Sequence, residues 1–80
     1  MPNTQTPQRS SEDVASTIGD NTRTILASRG KNLEWLAAEI GIDVHSILKA
    51  FASHVDTGLL FDLAFYLEVA PDVLIGADRA

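Results

Sequence analysis

Apolar positions recur at helical spacing along most of the chain. Val14, Ile18, Ile25 and Leu26 lie on one stripe. Gly19 interrupts that run and costs roughly 1 kcal/mol relative to Ala inside a helix, so the first helix is predicted to break or begin there. Gly30 is its predicted stop, with Arg29 in the last turn, where a cation suits the helix dipole. A second stripe, Leu33, Leu36, Ala37 and Ile40, starts behind a capping Asn32 and ends at Gly41. Ile42 is predicted to pack inward. Asp43 is predicted to cap a third helix that turns Ile47, Ala50 and Phe51 to the core. Asp56 caps a fourth helix, in which Leu60, Leu63, Ala64 and Leu67 recur at i, i+3, i+4, i+7. Pro71 suits the first position of a short fifth helix, and Gly76 ends it. Nothing reads as a strand or an internal repeat. The expected fold is all-α, with five short helices in a compact orthogonal bundle.

Composition narrows the possibilities. Eighty residues make one small domain. Residues 1–10 read as a polar, disordered tail, 11–76 as the domain and 77–80 as a C-terminal tail; Ser10 and Asp13 have capping-box spacing. Without cysteine there is no disulfide and no thiolate zinc site. The start lacks the apolar core of a secretory signal, and no apolar run approaches the ~20 residues that span a bilayer, which points to the cytoplasm. His45 and His54 stand apart with no converging acid–base set, so no enzyme activity, metal or cofactor is expected. A net charge of −5 argues against nonspecific binding to nucleic acid unless the charges are segregated.

Residues 32–51, NLEWLAAEIGIDVHSILKAF, read as a helix-turn-helix: an apolar-periodic helix, Gly-Ile-Asp, then a second short helix. Around them runs a longer ordered series. It comprises Arg29-Gly30-x-Asn32, Leu36-Ala37, Ile40-Gly41-Ile42, Ile47, Leu63-Ala64, Leu67, Val69-Ala70-Pro71-Asp72 and Leu74-Ile75-Gly76. In this series, over about residues 18–76, the chain resembles the lambdoid phage repressor and Cro type of helix-turn-helix domain, the Cro/C1 or xenobiotic-response-element family. No single element is specific; the order of the whole series carries the likeness. Ala37 supplies the small residue that a steep helix crossing needs, and Gly41 the positive φ of the turn. Four positions depart from the family pattern. Leu26 and Phe51 stand where many members pair an Arg with an acid. Losing one partner of such a pair strands a charge at about 3–5 kcal/mol, whereas replacing both by packed apolar groups can be neutral. Ser53 and Glu68 stand where members often have Gly.

The resemblance implies a sequence-specific regulator of transcription that binds double-stranded DNA, with the third helix in the major groove. Val44, His45, Leu48 and Lys49 would then read bases. Lys49 can donate to guanine, while Val44 and Leu48 can meet only thymine methyls, so DNA shape would carry part of the specificity. Arg29, Lys31, Asn32, Ser46, His54 and Thr57 would lie along phosphates, helped by the helix N-termini at Asn32 and Asp56. Asp43 would repel phosphate unless its charge is taken up as a cap. Few cations reach the backbone, so useful affinity would require a homodimer on two half-sites. Leu59, Phe61, Phe65 and Tyr66 add apolar positions beyond the buried stripe of the fourth helix, and Phe65, Tyr66 and Leu74 are the candidate dimer contacts. Two other readings stay open. Lys49 and His45 can be a solvated helix face, and the first helix or the N-terminal extension can cover Phe65. The alternative function is a protein-interaction module on the same fold, such as an antirepressor or antitoxin, favoured by Val44, Leu48 and Ala52 on the outer face of the third helix.

Overall fold

The computed structural model describes residues 11–76. They form α1 (Ser11–Ser28), α2 (Leu33–Ile40), α3 (Val44–Ala52), α4 (Thr57–Leu67) and α5 (Pro71–Ile75). The chain is all-α, with no strand among the described residues. The expected tails at 1–10 and 77–80, and the Ser10 cap, lie outside those residues. No described helix is long and apolar enough to cross a membrane.

The expected break at Gly19 does not occur: α1 runs unbroken for 18 residues. Gly19 is buried, and a Cβ there would lie 2.9 Å from Cγ and 3.0 Å from Cδ2 of Phe51. The α3 ring thus rests on bare α1 backbone. A weak local preference against helix is overridden by close packing between two helices.

Most helix ends follow local rules. Asn32 accepts the Trp35 N–H at 2.9 Å, and Asp56 accepts the Leu59 N–H at 2.8 Å. Gly41 takes φ 90° and donates its N–H to Ala37 O at 2.8 Å. Pro71 opens α5 and Gly76 closes it. Two expectations at the α2–α3 turn fail. Asp43 occupies the N-cap position of α3, but its side chain makes no cap hydrogen bond. Ile42 is 38% exposed rather than inward, because its N–H follows Gly41 back to Ala37 O and the chain turns away from the core there.

Ala15, Ile18, Leu26, Leu36, Ala37, Ile47, Phe51, Val55, Leu63, Ala64, Leu67 and Leu74 form one buried cluster. Each large side chain in it contributes roughly 1.5–3 kcal/mol by burial. Leu26 and Phe51, the apolar replacements for an ion pair, are both inside it. Leu33, Ile40 and Ala50 pack against its edge, half-buried. Leu74 is fully buried, so it is removed from the candidate dimer contacts. Asn21 on α1 donates its side-chain amide to Leu74 O at 2.7 Å and Val73 O at 3.3 Å. Val73 O also accepts the N–H of the capping Gly76, at 3.4 Å.

Glu68 ends α4 in the left-handed region, φ 60°, where its N–H reaches back to the last turn. That conformation costs an L-residue about 1–2 kcal/mol, part of which glycine returns through its larger unfolded-state entropy. Glu68→Gly is therefore expected to stabilise the domain by about 1 kcal/mol, read as a rise in urea midpoint at unchanged slope. Equal or lower stability would contradict the strained backbone.

Candidate nucleic-acid interface

Three residues, Gly41, Ile42 and Asp43, join α2 to α3, and the two helices pack against each other. α3 is held by Ile47 and Phe51, both buried, one helical turn apart. This fixes its rotation. His45, Ser46 and Lys49 are exposed, and His45 and Lys49, also one turn apart, lie on the side opposite Ile47. Lys49 sits in the last turn of α3, a position that suits a cation.

Val44 and Leu48 are not on that outer side. Val44 is half-buried against the core, and Leu48 is 39% exposed. Both turn toward α1 and line a groove of about 350 Å³ with Arg23, Leu26, Lys31, Leu33 and others. The expected base-reading set thus divides. His45 and Lys49 can face a ligand beyond α3, while Val44 is committed to packing. The rotation imposed by Ile47 and Phe51 is the cause.

The phosphate set divides as well. Arg29, Lys31, Asn32, Ser46, His54 and Thr57 are all exposed. Lys31 lies with its ammonium 4.9 Å from the centre of the Trp35 ring, which orders it beside the N-terminus of α2. Asn32 uses its carbonyl oxygen on Trp35 N–H, leaving its amide N–H₂ to face outward partners. The N-terminus of α4 is less suited to phosphate, because the Asp56 carboxylate already accepts from Leu59. Asp43 also stands against an anion. Its carboxylate takes no N–H of α3, so its charge is not absorbed as a cap.

Arg23 was absent from the residues singled out along the sequence. Its guanidinium lies 5.7 Å from the centre of the Phe51 ring, and it lines the groove between α1 and α3. The available signal was its i+4 spacing from Gly19, which places both on the α1 side that meets α3. Lys and Arg among the described residues are then Arg23, Arg29, Lys31 and Lys49. All lie on α1, α3 or the segment before α2, although α1 also holds Glu12, Asp13 and Asp20, and α2 holds Glu34 and Glu39. α4 and α5 hold Asp62 and Asp72 and no cation.

No family model, curated protein or solved structure matches the chain.

Proposed function

We propose that the protein is a cytoplasmic, sequence-specific DNA-binding regulator of transcription, a repressor of the bacteriophage Cro/C1 kind. In this reading α2 and α3 act as a helix-turn-helix, with α3 in the major groove, and two copies occupy two half-sites. The supporting observation is the segregation of the described cations to α1, α3 and the lead into α2, in a chain of net charge −5. His45 and Lys49 approach base edges. Arg29, Lys31 and the amide of Asn32 follow phosphates. Arg23, held on Phe51, adds positive potential beside them.

The test is a titration against duplexes selected from a randomised pool and against scrambled controls, at two salt concentrations. Lys49→Ala is expected to weaken specific binding by about 1–3 kcal/mol if it meets a guanine. If it meets phosphate alone, the loss is the same for every sequence and the salt slope falls by about one. Arg29→Ala and Lys31→Ala should show the second pattern. Asp43→Asn is expected to tighten binding to all duplexes, since it removes an unabsorbed negative charge at the start of α3. A parent protein that selects no duplex over the scrambled control, even at low salt, defeats the reading.

A second reading, a protein-interaction module, is favoured by the apolar groove into which Val44 and Leu48 turn. It predicts that Leu48→Asp abolishes a protein complex and that Lys49→Ala has little effect. Leu48 is the residue to change, because Val44 also packs the core.

A further inference from the structure

The groove of about 350 Å³ lies between α1, the lead into α2 and α3. Leu26, buried, lines its depth, and Leu33, Val44 and Leu48 line it nearer the surface. Arg23, Lys31 and Glu34 also line it, all exposed, which puts their charged ends at its mouth. Two of the four Lys and Arg among the described residues thus stand at one apolar groove, in a chain of net charge −5. Each rests on a ring rather than on an acid: Arg23 on Phe51 and Lys31 on Trp35. Asn32, on the same lining, has its side-chain N–H₂ left to donate. The acid on the lining is Glu34; Asp20 borders the adjoining hollow with Arg23. A volume of about 350 Å³ corresponds to a cube of roughly 7 Å, narrower than the ~10–12 Å of a helix with its side chains. It falls at the lower end of the ~300–1,000 Å³ of small-molecule sites.

We propose that this groove binds a small monocarboxylate with an apolar tail, and that the bound ligand releases the protein from DNA. The tail lies on Leu26, Leu33, Val44 and Leu48. The carboxylate meets Arg23 and Lys31 at the mouth, where charge-assisted hydrogen bonds are stronger than neutral ones. Charge complementarity selects this occupant: a neutral chain gains less from the two cations, and a cationic one is repelled by them. The other apolar surface is on α4, where Phe61 and Phe65 are exposed and half-buried Tyr66 lies edge-on to Phe65. α4 carries no cation, so an anion has nothing to meet there. Lys31 and Asn32 are also among the residues assigned to phosphates. A bound carboxylate occupies those donors and offsets part of the positive potential, so each ligand weakens the other. That coupling rests on the DNA reading; the groove as a carboxylate site does not.

The test is calorimetric titration without DNA, using octanoate as the probe and acetate, 1-octanol and octylammonium as controls. Octanoate should bind once per chain with a Kd on the order of 0.1–1 mM, as its size allows. 1-Octanol should bind about tenfold more weakly, and acetate and octylammonium not measurably. Trp35 is the single tryptophan, so its emission should change as Lys31 leaves the ring for the carboxylate. Ala27→Glu places a carboxylate in the groove one turn from Arg23, at an exposed helical position, and should abolish binding at parental helicity. Glu34→Gln removes the opposing charge and should tighten binding several-fold. Phe65→Glu should bind as the parent does. Saturating octanoate should weaken binding to a selected duplex about tenfold, and acetate at equal ionic strength should not. Absence of saturable octanoate binding up to about 10 mM overturns the proposal. So does equal binding of 1-octanol, binding that survives Ala27→Glu, or binding lost in Phe65→Glu, which would place the ligand on α4. A parent that dimerises, and that Ala27→Glu makes monomeric, would show a second copy in the groove and overturn it too. Unchanged duplex affinity in saturating octanoate overturns the coupling alone. A parent that selects no duplex removes the DNA reading, and the octanoate titrations still decide the groove.

Discussion

Phe51→Ala is expected to lower the free energy of unfolding by about 3–5 kcal/mol, a large part of what a domain of this size has. The ring fills the contact between α1 and α3, seated on Gly19 and covered by Arg23. Its partner substitution makes the test specific. In the parent, Gly19→Ala gains about 1 kcal/mol of helix preference. It also places a methyl 2.9 Å from the Phe51 ring, and overpacking of that kind costs about 1–3 kcal/mol. The net effect in the parent is a loss. With Phe51→Ala already present, the clash is gone and the methyl partly refills the void, so the same Gly19→Ala change becomes stabilising. Urea denaturation of the four proteins in this cycle measures the coupling directly. The same sign for Gly19→Ala in both backgrounds would show that the ring is not seated on Gly19.

Leu74→Ala is expected to cost about 2–5 kcal/mol, since Leu74 is fully buried where α5 packs on α1. Five residues are too few to hold a helix without tertiary contacts. α5 is thus held by the Leu74 side chain and by the Asn21 amide on the Val73 and Leu74 carbonyls. Asn21→Ala should cost about 1–3 kcal/mol by removing the side-chain donor from the partly buried Leu74 O and leaving Val73 O only its longer bond from Gly76. The two losses should not add. Once α5 has undocked, removing its second anchor costs little. Hydrogen exchange at the α5 amides should rise in either single variant, and denaturation of the double variant should show less than the sum. Leu74→Ala with parental stability would return Leu74 to the surface and reopen it as a dimer contact.

α3 has two sides with different commitments, and the rotation set by Ile47 and Phe51 separates them. Substitutions at Lys49 or His45 change an exposed side and should leave stability nearly unaltered. Substitutions at Val44 alter the core edge as well, so a loss of binding there is interpretable only with a stability measurement beside it.

The all-α class and the five helices, with most of their ends, were legible in the sequence, apart from the break expected at Gly19. The signals are local. Asn32 reaches Trp35, Asp56 reaches Leu59, and Gly41 and Gly76 supply left-handed backbone, all within one turn of the residue concerned. The apolar stripes of α2 and α4 likewise state which face must be buried. What those rules miss depends on a neighbour far along the chain. Gly19 reads as a weakness until Phe51 arrives against it, 32 positions later. Asn21 has no visible purpose until the Val73 and Leu74 carbonyls of α5, 52 to 53 positions away, lie against it. Arg23 gains a place through the same α3 ring, and Leu74 passes from candidate surface to core. Val44 and Leu48 belong to an apolar helix either way; whether they face a ligand or α1 is a question of α3's rotation. Even the local rules fail at Asp43 and Ile42, where the turn's geometry is set by how α2 and α3 both dock on the core. Sequence spacing determines which residues share a face, because helical periodicity is intrinsic to the backbone. What each face meets is decided only when the helices pack, because that contact is a property of two segments at once.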